Sequence, residues 1–70
     1  MKQRINLYLL NNGYRTSTLT IYYLNAIINK PTAQNITQLC AEIDIHRSYY
    51  YKLIKEHKDF IEVVRDETKN

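Results

Sequence analysis

The run HRSYYYKLIKEHK, residues 46 to 58, gathers Arg47, Lys52, Lys55 and Lys58 around Ser48, Tyr49 and Tyr51, with Glu56 as its one acid. These residue types suit a polyanion. A guanidinium offers a two-pronged donor to the edge of guanine, and a phenol donates to a phosphate oxygen. A phenol ring also stacks on an unpaired base, a contact contributing about 1–3 kcal/mol whatever the base. His46 and Ser48 add small hydrogen-bonding groups at the start of the run. Two readings of the charge stay open, a nucleic-acid surface and a solvated helix face. Catalysis finds little to work with: the chain offers no nucleophile with a base and an orienting group, one glycine in all, and only Cys40, His46 and His57 as soft metal ligands. Neither an enzyme nor a cofactor is expected.

Charge is distributed unevenly around that run. The net charge is +3, yet residues 1 to 41 hold Lys2, Arg4, Arg15 and Lys30 with no acid, while 59 to 70 hold Asp59, Glu62, Asp66 and Glu67 against Arg65 and Lys69. At 70 residues, 44% hydrophobic and 24% charged, with one Gly and one Pro, the chain reads as a single folded domain over 1–70 with a small core. One cysteine cannot form an internal disulfide, and no apolar run approaches the roughly 20 residues needed to cross a bilayer. A cytoplasmic protein with no membrane association is the expectation.

The elements that must position these groups read as helices. Asn35-Ile36-Thr37-Gln38 has the form of a capping box, so a helix is expected from 36 to about Glu42 or Ile43. A break at Asp44-Ile45-His46 separates it from a second helix reaching about Lys55. Ile45 should plug the angle between them. With Ile45, Tyr50 and Ile54 facing Ile36, Leu39, Cys40 and Ile43, the groups Arg47, Ser48, Tyr51, Lys52 and Lys55 turn toward water. Tyr50 belongs to the core, and Tyr49 and Tyr51 divide between rim and ligand contact. Cys40 reads as a buried thiol, and His46 and His57 as surface caps. A further helix spans Lys58 to about Asp66 on the spacing of Phe60, Ile61 and Val64. Upstream, Ser17 or Thr18 caps a helix with the stripe Ile21, Leu24, Ile27 and Ile28, ended by Pro31. Residues 1 to 17 admit two forms: a short helix through Ile5, Tyr8 and Leu9 stopped by Gly13, or a β-hairpin turning at Asn12-Gly13. The fold class is all-α, a small bundle of four to five short helices with a helix-turn-helix at about 35–55 and that N-terminal hairpin left open.

The stretch NITQLCAEIDIHRSYYYKLIKEHKDFIEVV resembles the N-terminal DNA-binding module of the tetracycline-repressor (TetR) family. Leu39-Cys40 takes the family's Ile-Ala place and Ile43-Asp44-Ile45 its turn; Arg47, Tyr50, Tyr51 and Ile54 fall in step, and Lys58-Asp59-Phe60 opens the next helix. The likeness covers about 30 residues, or 45 with IYYLNAIINK. It implies a recognition helix in the major groove of duplex DNA, phosphate contacts from Tyr51 and Lys58, and a backbone contact from the Asn35 cap. It further implies base-edge contacts from Arg47 and Ser48, with Tyr49 and His46 as further candidates. The chain departs from the pattern at Asp44, where the family has glycine, and at His46, which gives up the better acceptor of a Ser or Thr cap. It also ends at Asn70, so no small-molecule inducer is expected. A lone module reads one half-site, so a homodimer is expected for a regulatory role. The rival expectation is an accessory subunit from a mobile element, binding single-stranded DNA or a larger replication or recombination enzyme.

Overall fold

The computed structural model describes residues 1–29 and 36–68, the last by its backbone alone. The described residues form helices α1 (Lys2–Asn11), α2 (Thr18–Asn29), α3 (Ile36–Ile43), α4 (Arg47–Glu56) and α5 (Lys58–Thr68) and contain no strand. The fold is an all-α bundle. Ser17 caps α2, its hydroxyl accepting from the Leu19 amide at 3.2 Å. The expected cap at Asn35 and stop at Pro31 lie outside the described residues.

The hairpin reading of the N-terminus is overturned by α1. Ile5 and Leu9 are both fully buried while Leu7 between them is 57% exposed; a strand would set all three on one face, whereas a helix sets the first and last together and turns the middle one away. Asn12 and Gly13 close that helix instead of turning a hairpin. The Tyr14 amide donates to the Leu9 carbonyl at 2.9 Å and the Gly13 amide to that of Leu10 at 3.3 Å, with Gly13 at φ +77°. This is a Schellman closure, in which the left-handed residue is ordinarily glycine. The α3 end repeats it. Ile45 donates to Cys40 at 3.0 Å and Asp44 to Ala41 at 3.3 Å, and Asp44 takes the left-handed place at φ +57°. The closure turns Ile45 back against the core, half-buried at the elbow between α3 and α4.

The principal packing pairs are α1 with α2, α2 with α5, α5 with α4, and α4 with α3, so α5 stands in the middle of the series between α2 and α4. Each helix contributes to one core: Ile5 and Leu9; Leu24, Ile27 and Ile28; Leu39, Cys40 and Ile43; Tyr50 and Leu53; Ile61 and Val64. Arg65 of α5 donates to the Ile27 carbonyl at 2.9 Å, serving one of the last carbonyls of α2, which lack partners within the helix. Arg4 and Glu67 form an exposed ion pair that joins α1 to the end of α5.

His57 is a correction to the expected surface cap, for it is only 3% exposed. It does occupy a cap. Its amide donates to Leu53 and its carbonyl accepts from Ile61, closing α4 and opening α5. Its ring, however, turns inward. Nδ1 lies 2.7 Å from the Tyr8 hydroxyl, and the ring stands edge-on to Tyr8 and Tyr14 at 5.5 and 4.7 Å between centroids. Tyr8 in turn stacks on Phe60 at 3.9 Å. Burial pushes the His57 pKa below its ordinary value, opposed by the Glu56 carboxylate, and burial likewise pushes the Tyr8 phenol up. The Tyr8 hydroxyl and a neutral imidazole therefore share one hydrogen bond at Nδ1.

Candidate nucleic-acid interface

The site is built on α4, beginning with the residue that caps it. His46 has an extended backbone (φ −73°, ψ 148°), and its Nδ1 accepts from the Ser48 amide at 3.1 Å while lying 2.8 Å from the Ser48 hydroxyl. The lost acceptor expected at this cap is thus supplied by the imidazole. His46 and Ser48 are both exposed and tied to one another at the leading end of the helix.

At about 100° per residue, Arg47, Ser48, Tyr51, Lys52 and Lys55 fall within about 140° of arc on α4. All five are exposed. Tyr50 and Leu53 lie on the opposite side and are buried, which fixes the rotation of the helix. From Arg47 to Lys55 the row runs about 12 Å along the axis at the α-helical rise. No carboxylate interrupts it, the nearest acids in the chain being Asp44 and Glu56. Among the described residues, Arg47, Lys52, Lys55 and Lys58 make no hydrogen bond or ion pair through their charged groups. Their charge is left for solvent or a ligand.

The tyrosines separate by rotation, as expected. Tyr50 is 1% exposed, and burial raises its phenol pKa. Tyr51 is 47% exposed and leans edge-on against Tyr50, with 5.4 Å between centroids. That contact braces its ring on one side. Tyr49 lies outside the cationic arc, half-buried and edge-on to Tyr23 of α2 at 5.9 Å. It braces α4 against α2.

Lys58 opens α5 and shares with Lys55 the rim of a cavity of about 320 Å³ that Glu56, Asp59 and Phe60 also line. A second cavity, of about 170 Å³, flanks α4 on the α2 side and joins Tyr49, Lys52 and Glu56 to Arg15 and Thr20. Arg15 and Thr20 were missed by sequence reasoning. They precede α4 by some thirty residues and only the packing of α4 on its neighbours brings them beside it; the acid-free N-terminal half was the one available signal. Asn35 lies outside the described residues. Among the described residues no group of three or more His, Cys, Asp or Glu side chains is placed to hold a metal, and no helix is long and apolar enough to cross a membrane.

Neither protein-family models nor curated proteins nor solved structures give a match to this chain.

Proposed function

We propose that the protein binds nucleic acid through the exposed face of α4, with the major groove of duplex DNA as the favoured ligand and a regulatory role as the consequence. The observation that carries this reading is the unneutralised row of Arg47, Lys52 and Lys55, exposed with Ser48 and Tyr51 on one arc of one helix. A solvated face ordinarily intersperses acids among its bases; this one has none between residues 44 and 56. The major groove, about 12 Å wide, admits an α-helix. In this pose α3 and the Ile45 elbow hold α4 in the manner of a helix-turn-helix, and the resemblance to the tetracycline-repressor module favours the same assignment. Arg47 and Ser48 approach base edges; Tyr51, Lys52, Lys55 and Lys58 approach phosphates; His46 orients Ser48. A homodimer would place two such helices on successive half-sites.

The test is anisotropy of a labelled random-sequence duplex and of the matching single strand, each at two salt concentrations, with wild type and the Arg47→Ala/Lys52→Ala double variant. Both residues are exposed and unpaired, so the fold should survive. Loss of the Lys52 phosphate contact lowers the slope of log affinity against log salt by about 0.9 for a duplex, and loss of Arg47 weakens affinity further. An unchanged slope and affinity overturn the proposal.

A second reading draws on the exposed Tyr51 ring and on an apolar cavity of about 580 Å³ between α1 and α2, lined by Leu19, Ile21 and Tyr22. A stacking ring beside lysines suits an unpaired strand, and an apolar cavity suits a larger protein, which together describe an accessory subunit. Preference for the single strand in the same assay, or stable co-purification with a large enzyme, selects this reading.

A further inference from the structure

We infer that the notch between α4 and the α1–α2 connection is a phosphodiester seat, in which Arg15 and Lys52 grip a backbone phosphate beside the one engaged by the face of α4. The inference rests on the nucleic-acid reading and extends it to residues from a different part of the chain. The notch is concave, about 170 Å³, and its lining brings Arg15 from the connection, Thr20 from α2, and Tyr49 and Lys52 from α4 to one place. Neither Arg15 nor Lys52 has a hydrogen bond or ion pair among the described residues, so no protein carboxylate already satisfies them. Two cations with three hydroxyl residues in the lining, Tyr14, Thr20 and Tyr49, suit a tetrahedral oxyanion, and a guanidinium can meet two of its oxygens at once.

Shape supports the same assignment. Tyr49, half-buried against Tyr23, and the buried Leu9 and Leu53 give the notch a firm floor, so the cations stand around a fixed hollow and not on a flat surface. Lys52 belongs both to this notch and to the exposed arc of α4. A strand whose bases meet Arg47 is thus carried past Lys52 toward Arg15.

Glu56 opposes the seat. Its carboxylate lines the notch and stands 4.0 Å from His57 Nε2. Because burial favours the neutral imidazole, His57 does not cancel the Glu56 charge. A seat for an anion should therefore tighten when this carboxylate is removed.

The experiment is a salt titration of duplex binding by the full chain, comparing wild type with Arg15→Ala, Glu56→Gln, Arg47→Ala and Lys2→Ala. Lys2→Ala makes the same change in net charge as Arg15→Ala but lies outside the notch lining, so it reports the general field alone. Arg15→Ala should lower affinity about threefold to tenfold near 0.1 M salt and lower the slope by about 0.9, the value for one phosphate on a duplex. Lys2→Ala should leave the slope as it is, and Glu56→Gln should raise affinity. If Arg15→Ala behaves as Lys2→Ala while Arg47→Ala still weakens binding, the seat is wrong and the α4 reading stands. If Arg47→Ala also has no effect, the nucleic-acid reading itself fails and the seat falls with it.

Discussion

Asp44 carries a backbone conformation that its side chain does not favour. At φ +57° it is the one non-glycine residue in the left-handed region among those described, and it holds the place that Gly13, at +77°, fills in the matching closure of α1. A Cβ in that region costs about 1–2 kcal/mol, reduced for Asp and Asn by local hydrogen bonding of their short polar side chains. Asp44→Gly should therefore stabilise the protein by about 1 kcal/mol, Asp44→Asn should leave it near wild type, and Asp44→Ala should destabilise it. Urea unfolding of the three variants checks the order, and a glycine variant no more stable than wild type would show that the turn stores no strain. The same reasoning explains His46. Its spacing suggested a weak cap because imidazole is not among the usual capping groups, yet Nδ1 reaches the Ser48 amide at 3.1 Å, so the chemistry of one ring nitrogen supplies what the residue type did not advertise.

At the scale of elements, the junction of α1 with α4 and α5 depends on one polar contact inside an aromatic cluster. Tyr8→Phe keeps the stack on Phe60 but leaves the buried His57 Nδ1 without its hydrogen-bond partner. An unsatisfied buried polar atom costs about 1–3 kcal/mol, so this variant should lose that much stability in denaturant; a loss below about 0.5 kcal/mol would place the weight of the junction on packing alone. This cluster also marks the limit of what the sequence made legible. The α3–α4 pair was readable because its signals are local: the stripe Leu39, Cys40, Ile43, Tyr50 and Leu53 has helical spacing, and the elbow between them is three residues long. α1 was not decided by its own residues, since Asn12-Gly13 serves a hairpin turn and a Schellman closure equally well, and what separates them is the burial of Ile5 and Leu9 with Leu7 left exposed. His57 followed the polarity of its neighbours when read alone; its place four residues from both Leu53 and Ile61 on a buried stripe was the signal that outweighs it. Arg15 had no local signal, because its position beside Lys52 arises from packing between helices distant in sequence.

For the molecule as a whole, pH dependence follows from the one buried group that changes charge near neutrality. His57 is packed among Tyr8, Tyr14 and Phe60, with Glu56 as the facing acid at 4.0 Å, and burial outweighs that carboxylate to lower its pKa below the ordinary 6.5. Above about pH 6.5 the imidazole is neutral in both folded and unfolded chains, and the aromatic cluster contributes its full stability. As pH falls through 6.5 the unfolded chain takes up a proton that the folded chain refuses, so stability declines until the lowered folded pKa is reached and levels off beneath it. For one group the slope in that window is at most about 1.4 kcal/mol per pH unit. The exposed Glu67, whose pKa is lowered by its hydrogen bond to Arg4 from an ordinary 4.5, acts on the acid side of that value, below the range in which the unfolded chain's His57 takes up its proton. Chemical denaturation at half-unit pH steps should show this decline in wild type and a flatter profile in His57→Gln, whose neutral amide takes no proton. A wild-type profile with no slope between pH 6.5 and 4.5 would mean that His57 keeps an ordinary pKa in the fold and that the tyrosine pocket opens to solvent.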